Sequence, residues 1–166
     1  MGENSYYKNS GKFGLTGIIT VLLFGGVCAA TLGFVYGYAD AYNPIIYVNL
    51  LLLFGAAYLV GMAVSKAARI GKIRNSKLVL LLGLVAGLVL LYSSWVAWIH
   101  AYSKQSYLLW NPIDIWHYLL VKGEAGVWSI SDTTPTGMIV YGVWLAEAGV
   151  IMWFSITGST ESIKGL

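Results

Sequence analysis

Glu147 is the residue whose type and place most suggest chemistry. It stands near the middle of the apolar run Met138–Ile156. A charge at that depth in a bilayer is unfavourable by about 3 kcal/mol on insertion scales. No Lys, Arg or His lies inside the other apolar runs to offset it. The side chains at comparable depth that can hydrogen-bond to it are Asn49, Tyr58, Tyr92 and Ser93. Gly25, Gly26, Gly55 and Gly87 fall near the same level and leave room for a water, an ion or close helix contact. Glu147, with Asn49 and Tyr92, is thus a candidate proton or ion site. It can also meet a basic group of another chain. The structural reading is a protonated Glu hydrogen-bonded across a helix interface, and it is the favoured one. A transporter ordinarily shows several converging polar groups or helices broken at mid-membrane. One acid on unbroken runs argues against an autonomous transporter.

The other reactive residues are few. His100 and His117 lie near one membrane boundary, and Asp114 is three residues from His117. No third ligand is fixed by spacing, and two His at one boundary do not suit a bis-histidine haem, so neither metal nor cofactor is expected. A lone Cys28 cannot form an internal disulfide, which excludes thiol oxidoreductases that need Cys pairs. Phosphate-cradling loops, paired-His helices and nucleophile elbows are missing from the sequence. The expected class is non-enzymatic.

Four apolar runs must position these residues: Phe13–Tyr36, Ile45–Val64, Leu78–Ile99 and Met138–Ile156. Each suffices to cross a hydrocarbon core that takes about 20 helical residues. Only 10% of the 166 residues are charged, and the mean hydropathy is +0.71. A soluble domain carries about 25% charged residues. The expected fold is therefore an all-α integral membrane protein, one four-helix domain over residues 1–166. Its spans are expected at about residues 13–36, 44–70, 76–101 and 137–156, with a short external interfacial helix at about 112–122. The first run has a basic start like a signal peptide, but it is long and lacks a good cleavage site, so it reads as a retained helix.

The turns carry capping signals. Gly37 is expected to end the first helix, and Asn43–Pro44 to open the second, making an antiparallel hairpin. Gly71 is the expected stop of the second helix, and Asn75 or Ser76 the cap of the third. Asn111-Pro112-Ile113-Asp114 reads as a helix start and Lys122-Gly123 as its end. Asp132-Thr-Thr-Pro reads as a turn leading into the last span.

Lys8, Lys12, Lys66, Arg69, Lys72, Arg74, Lys77 and Lys164 share one side, against Lys104 and Lys122 on the other. The positive-inside rule then puts both termini in the cytoplasm, with a bacterial inner membrane as the expected location. The same placement explains the net charge of +3 without nucleic acid.

The helices differ. Gly25, Ala29, Gly33 and Gly37 form a small-residue stripe on the first. Packing within the chain is its favoured use, ahead of a contact between subunits. Gly83 and Gly87 on the third helix, and Gly142, Ala146 and Gly149 on the last, are weaker signals. The second and third helices read as lipid-facing. Trp95, Trp98, Trp110, Trp116 and Trp128 gather at the outer boundary as an interfacial belt. So little enclosed volume suggests a subunit or scaffold that meets the bilayer and other membrane subunits, or itself. The alternative is a small ion- or proton-coupled channel or transport component using Glu147.

Overall fold

The computed structural model describes residues 14–43, 45–103, 106–127 and 134–164. Among them the chain is all-helical, with five helices: α1 (Leu15–Tyr42), α2 (Ile46–Ile70), α3 (Ser76–Ser103), α4 (Pro112–Ala125) and α5 (Met138–Lys164). The first three and α5 are long and apolar enough to cross a membrane. Pro44, Lys8, Lys12, Lys104, Trp128 and Asp132 lie outside the described residues.

Where the surroundings are hydrocarbon, burying a Leu gains little over leaving it in lipid. Helices associate instead where small residues let backbones approach. The glycines show this directly. At the face of the bundle where α2 turns into α3, Gly71 meets Gly17, and a Cβ on Gly71 would stand 2.7 Å from the Gly17 Cα. Further along α1, Gly25 packs on Val64 of α2. At the opposite face, Gly33 sits on Leu90 and Ser93 of α3, and Gly37 on Ser94 and Ala97. Helix α1 thus crosses from α2 at one face to α3 at the other. Gly61 of α2 and Gly158 of α5 touch backbone to backbone. Gly83 and Gly87 of α3 receive Ser159 and Ser155 of α5.

Helix α3 is the centre of the bundle. Half of its most apolar window is buried, against 22% for α1 and 17% for α5. The lipid-facing reading of α2 and α3 is therefore corrected. Leu- and Val-rich surface does not separate lipid from core when both are apolar. The extent of α1 is corrected too: it runs past Gly37 to Tyr42. Gly37 serves close approach to α3, and nothing in its buried helical position stops the chain.

The turns follow local hydrogen bonding. Asn43 caps the end of α1 through its N–H to Ala39. The N-cap of α2 is Ile45, not Asn43. Asn43 instead accepts from the Ile45 N–H at 3.2 Å and donates to the Asn49 side-chain oxygen at 2.7 Å. Gly71 does end α2, but with φ −74; the left-handed residue is Lys72, φ 52. Asn75 caps α3, accepting from the Leu78 N–H at 3.2 Å.

Helix α4 starts as its sequence indicates, with Asn111 accepting from the Ile113 N–H at 3.1 Å and Pro112 in the first turn. It ends at Ala125 rather than at Gly123, and the turn is made by Gly126 at φ 84. Gly123 is buried against the Tyr141 ring of α5. Ile115, Leu119 and Gly123, four residues apart in series, face the bundle. Ile113, Trp116 and Val121 are exposed.

Candidate functional site

Under α4 the helices enclose a small polar cavity. Tyr36 and Asp40 stand one turn apart on one face of α1. Trp144, Glu147 and Ile151 come from α5, and Ser94, Trp95 and Trp98 from α3. Leu119 of α4 contributes from above. The Tyr36 hydroxyl donates to Glu147 Oε1 at 3.4 Å. That is long for an O–H···O bond, so the carboxylate keeps most of its acceptor capacity for another partner. Asp40 lies close enough to interact electrostatically with both Glu147 and Tyr36. Among the described residues no Lys, Arg or His lines the space. The cavity has a volume of about 20 Å³, room for one water-sized occupant.

These groups can hold something positive. Two carboxylates facing one small, largely enclosed space repel, and a proton or a small cation between them removes that repulsion. Tyr36 is 5% exposed, and its hydroxyl orients one of the two. Trp95, Trp98 and Trp144 complete the wall. Trp98 is 7% exposed and meets Trp144 edge to face at 6.3 Å.

A second, apolar space adjoins the first. This groove of about 310 Å³ lies between α4, α5 and the end of α3. Trp116, Leu120, Tyr141, Leu145 and Ala148 line it, together with Trp95, Leu119 and Trp144, which also wall the acid cavity. Tyr141 fixes its geometry by donating to the Leu120 carbonyl at 3.2 Å. On the other flank of α4, Lys122 stands 5.8 Å from the Tyr118 ring centre. Burial pushes the Tyr118 phenol above its ordinary range, and Tyr102 adds to the shift.

The residues expected to join Glu147 go elsewhere. Asn49 donates to the Asn43 carbonyl at 3.2 Å and braces the turn between α1 and α2. Tyr92 donates to the Trp110 carbonyl at the foot of α4. Tyr58 is exposed. Gly25, Ala29, Gly33 and Gly37 are buried within the chain. Of the expected belt, Trp110 and Trp116 are exposed, while Trp95 and Trp98 turn inward to the cavity. His100 bonds to Tyr38 at 2.8 Å, and His117 is exposed on α4.

Tyr36, Asp40 and Trp144 were not legible as partners of Glu147. Ending α1 at Gly37 turns Asp40 into a loop residue. The available signal was the stripe itself: Gly33 and Gly37 continue in step, Tyr36 and Asp40 share one turn, and no Pro interrupts before position 44.

Comparison with known protein families, with curated proteins and with solved structures gives no match.

Proposed function

We propose that this chain is a non-enzymatic membrane protein that binds a proton or a monovalent cation between Asp40 and Glu147 and serves as an ion- or proton-coupled component. The carrying observation is the Tyr36–Glu147 hydrogen bond inside a cavity that Asp40 also lines and no basic side chain enters among the described residues. A structural Glu needs one good hydrogen bond. This one has a long bond, a second acid and a void. The exposed basic residues Lys66, Arg69, Lys72, Arg74 and Lys77 support a cytoplasmic placement of that loop and of both termini, as in a bacterial inner membrane. In that orientation the acid cavity lies near the outer boundary, under α4. The test is flux of protons, Na⁺ and K⁺ in vesicles holding the purified full chain. Wild-type flux lost in Glu147→Gln and Asp40→Asn supports the proposal; equal flux in both variants and wild type, or none in wild type, overturns coupled transport.

A second reading, a subunit of a larger membrane assembly, has its own support. Gly142, Ala146 and Gly149 form an exposed row on α5, and a Cβ on either glycine would meet nothing within 4 Å. The α1 stripe is filled by α2 and α3; the α5 row is open to a helix of a neighbour. The mass of the complex in mild detergent tests this, with a shift to monomer expected for Gly142→Leu with Gly149→Leu.

A further inference from the structure

We propose that the groove and the acid cavity form one site for an amphiphilic organic cation, the apolar body lying in the groove and the positive group over the wall it shares with Asp40 and Glu147. This deepens, and rests on, the cation-binding reading above.

Three observations carry it. The groove is large enough for a small molecule, at about 310 Å³, where ligand pockets start at about 300 Å³. The acid cavity beside it, at about 20 Å³, admits a proton, a water or a bare ion, and nothing larger. Trp95, Leu119 and Trp144 belong to both linings, so the two spaces adjoin. An alkyl chain alone would use only the groove, and an inorganic ion only the cavity.

The chemistry of the shared wall selects charge sign. Indole faces attract ammonium-type cations through the ring quadrupole. The carboxylates of the adjoining cavity add attraction to a cation and repel an anion. The titratable groups lining the two spaces are Asp40, Glu147, Tyr36 and Tyr141, none of them basic. A cation seated at Trp95 or Trp144 thus gains from both layers, and an anion of the same shape loses. The groove lies between α4 and the bundle, so its occupant arrives from the boundary region, where amphiphilic cations concentrate.

The test uses the full chain in lipid nanodiscs and two ions of matching shape, tetraphenylphosphonium and tetraphenylborate. Equilibrium dialysis against empty nanodiscs removes simple partitioning. The expected result is saturable binding of the cation alone, weakened at least tenfold by Glu147→Gln and by Ala148→Leu, which narrows the groove. Circular dichroism and size-exclusion profiles matching wild type show that each variant is folded. If either variant misfolds, competition of the cation with Na⁺ and protons in the wild type serves instead, with displacement expected. No saturable binding, or equal binding of the anion, overturns the inference. If vesicle flux still depends on Glu147 in that case, the cation-binding reading stands without it; if both fail, the site holds neither.

Discussion

The Tyr36 hydroxyl reaches Glu147 Oε1 at 3.4 Å and ties α1 to α5 across 111 positions of sequence. Asp40 lies one turn further along α1 and lines the same space. The bond therefore holds one acid near a second, which a purely structural helix clamp does not require.

Gly33 and Gly37 of α1 should respond oppositely to Gly142 and Gly149 of α5 when enlarged. A Cβ at Gly33 would stand 2.8 Å from the Ser93 Cβ, and one at Gly37 2.9 Å from the Ala97 Cβ, with backbone carbonyls of α3 closer still. Overpacking of this kind costs about 1–3 kcal/mol. Gly33→Val and Gly37→Val should lower the unfolding midpoint in detergent. Gly142→Ala and Gly149→Ala meet open space and should leave the monomer unchanged or raise its stability by up to about 1 kcal/mol through helix propensity.

The turn between α2 and α3 makes a paired prediction. Lys72 holds the left-handed conformation at φ 52, which is unfavourable by about 1–2 kcal/mol for a residue with a Cβ. Lys72→Gly should stabilise the protein by up to about 1 kcal/mol, after the greater chain entropy of Gly is subtracted. Gly71→Ala should destabilise it, because the new methyl meets the Gly17 backbone. Thermal unfolding of both variants in one detergent checks the sign of each.

Asn49 should prove structural. It receives one hydrogen bond from Asn43 at 2.7 Å and returns another at 3.2 Å. Asn49→Ala should cost about 1 kcal/mol while leaving any Glu147-dependent flux intact. Flux lost without loss of stability would contradict this.

The spans and two of the caps were legible, and the site was not, for physical reasons. Hydropathy and length locate α2 and α3 to within a few residues because a membrane demands long apolar helices, whereas α1 and α5 run on to Tyr42 and Lys164, past the expected ends at 36 and 156. Asn75 and Asn111 could be read because capping is local. Which face of a helix meets protein was not readable from Leu and Val, as α3 shows. Gly123 resembled a helix stop, yet its role is to admit the Tyr141 ring. Asp40 was misplaced because a buried glycine in a packing stripe and a terminating glycine look alike in sequence.

Alkaline pH should loosen α4. Burial holds the Tyr118 phenol neutral above its ordinary range. A raised value in the folded state means stability that is fully present below the unfolded phenol's range, about 10, and is lost as pH rises through the folded value. Fluorescence of Trp116 followed up an alkaline titration should report α4 loosening, and Tyr118→Phe should move that transition to higher pH.

Infrared difference spectroscopy on the reconstituted full chain, as protons or Na⁺ are titrated, tests the acid pair most directly. Occupancy by a proton or a cation between Asp40 and Glu147 predicts a carboxyl band that changes on titration and disappears or shifts in both Glu147→Gln and Asp40→Asn. A spectrum with no titrating carboxyl band, or a band that both variants leave untouched, would contradict it.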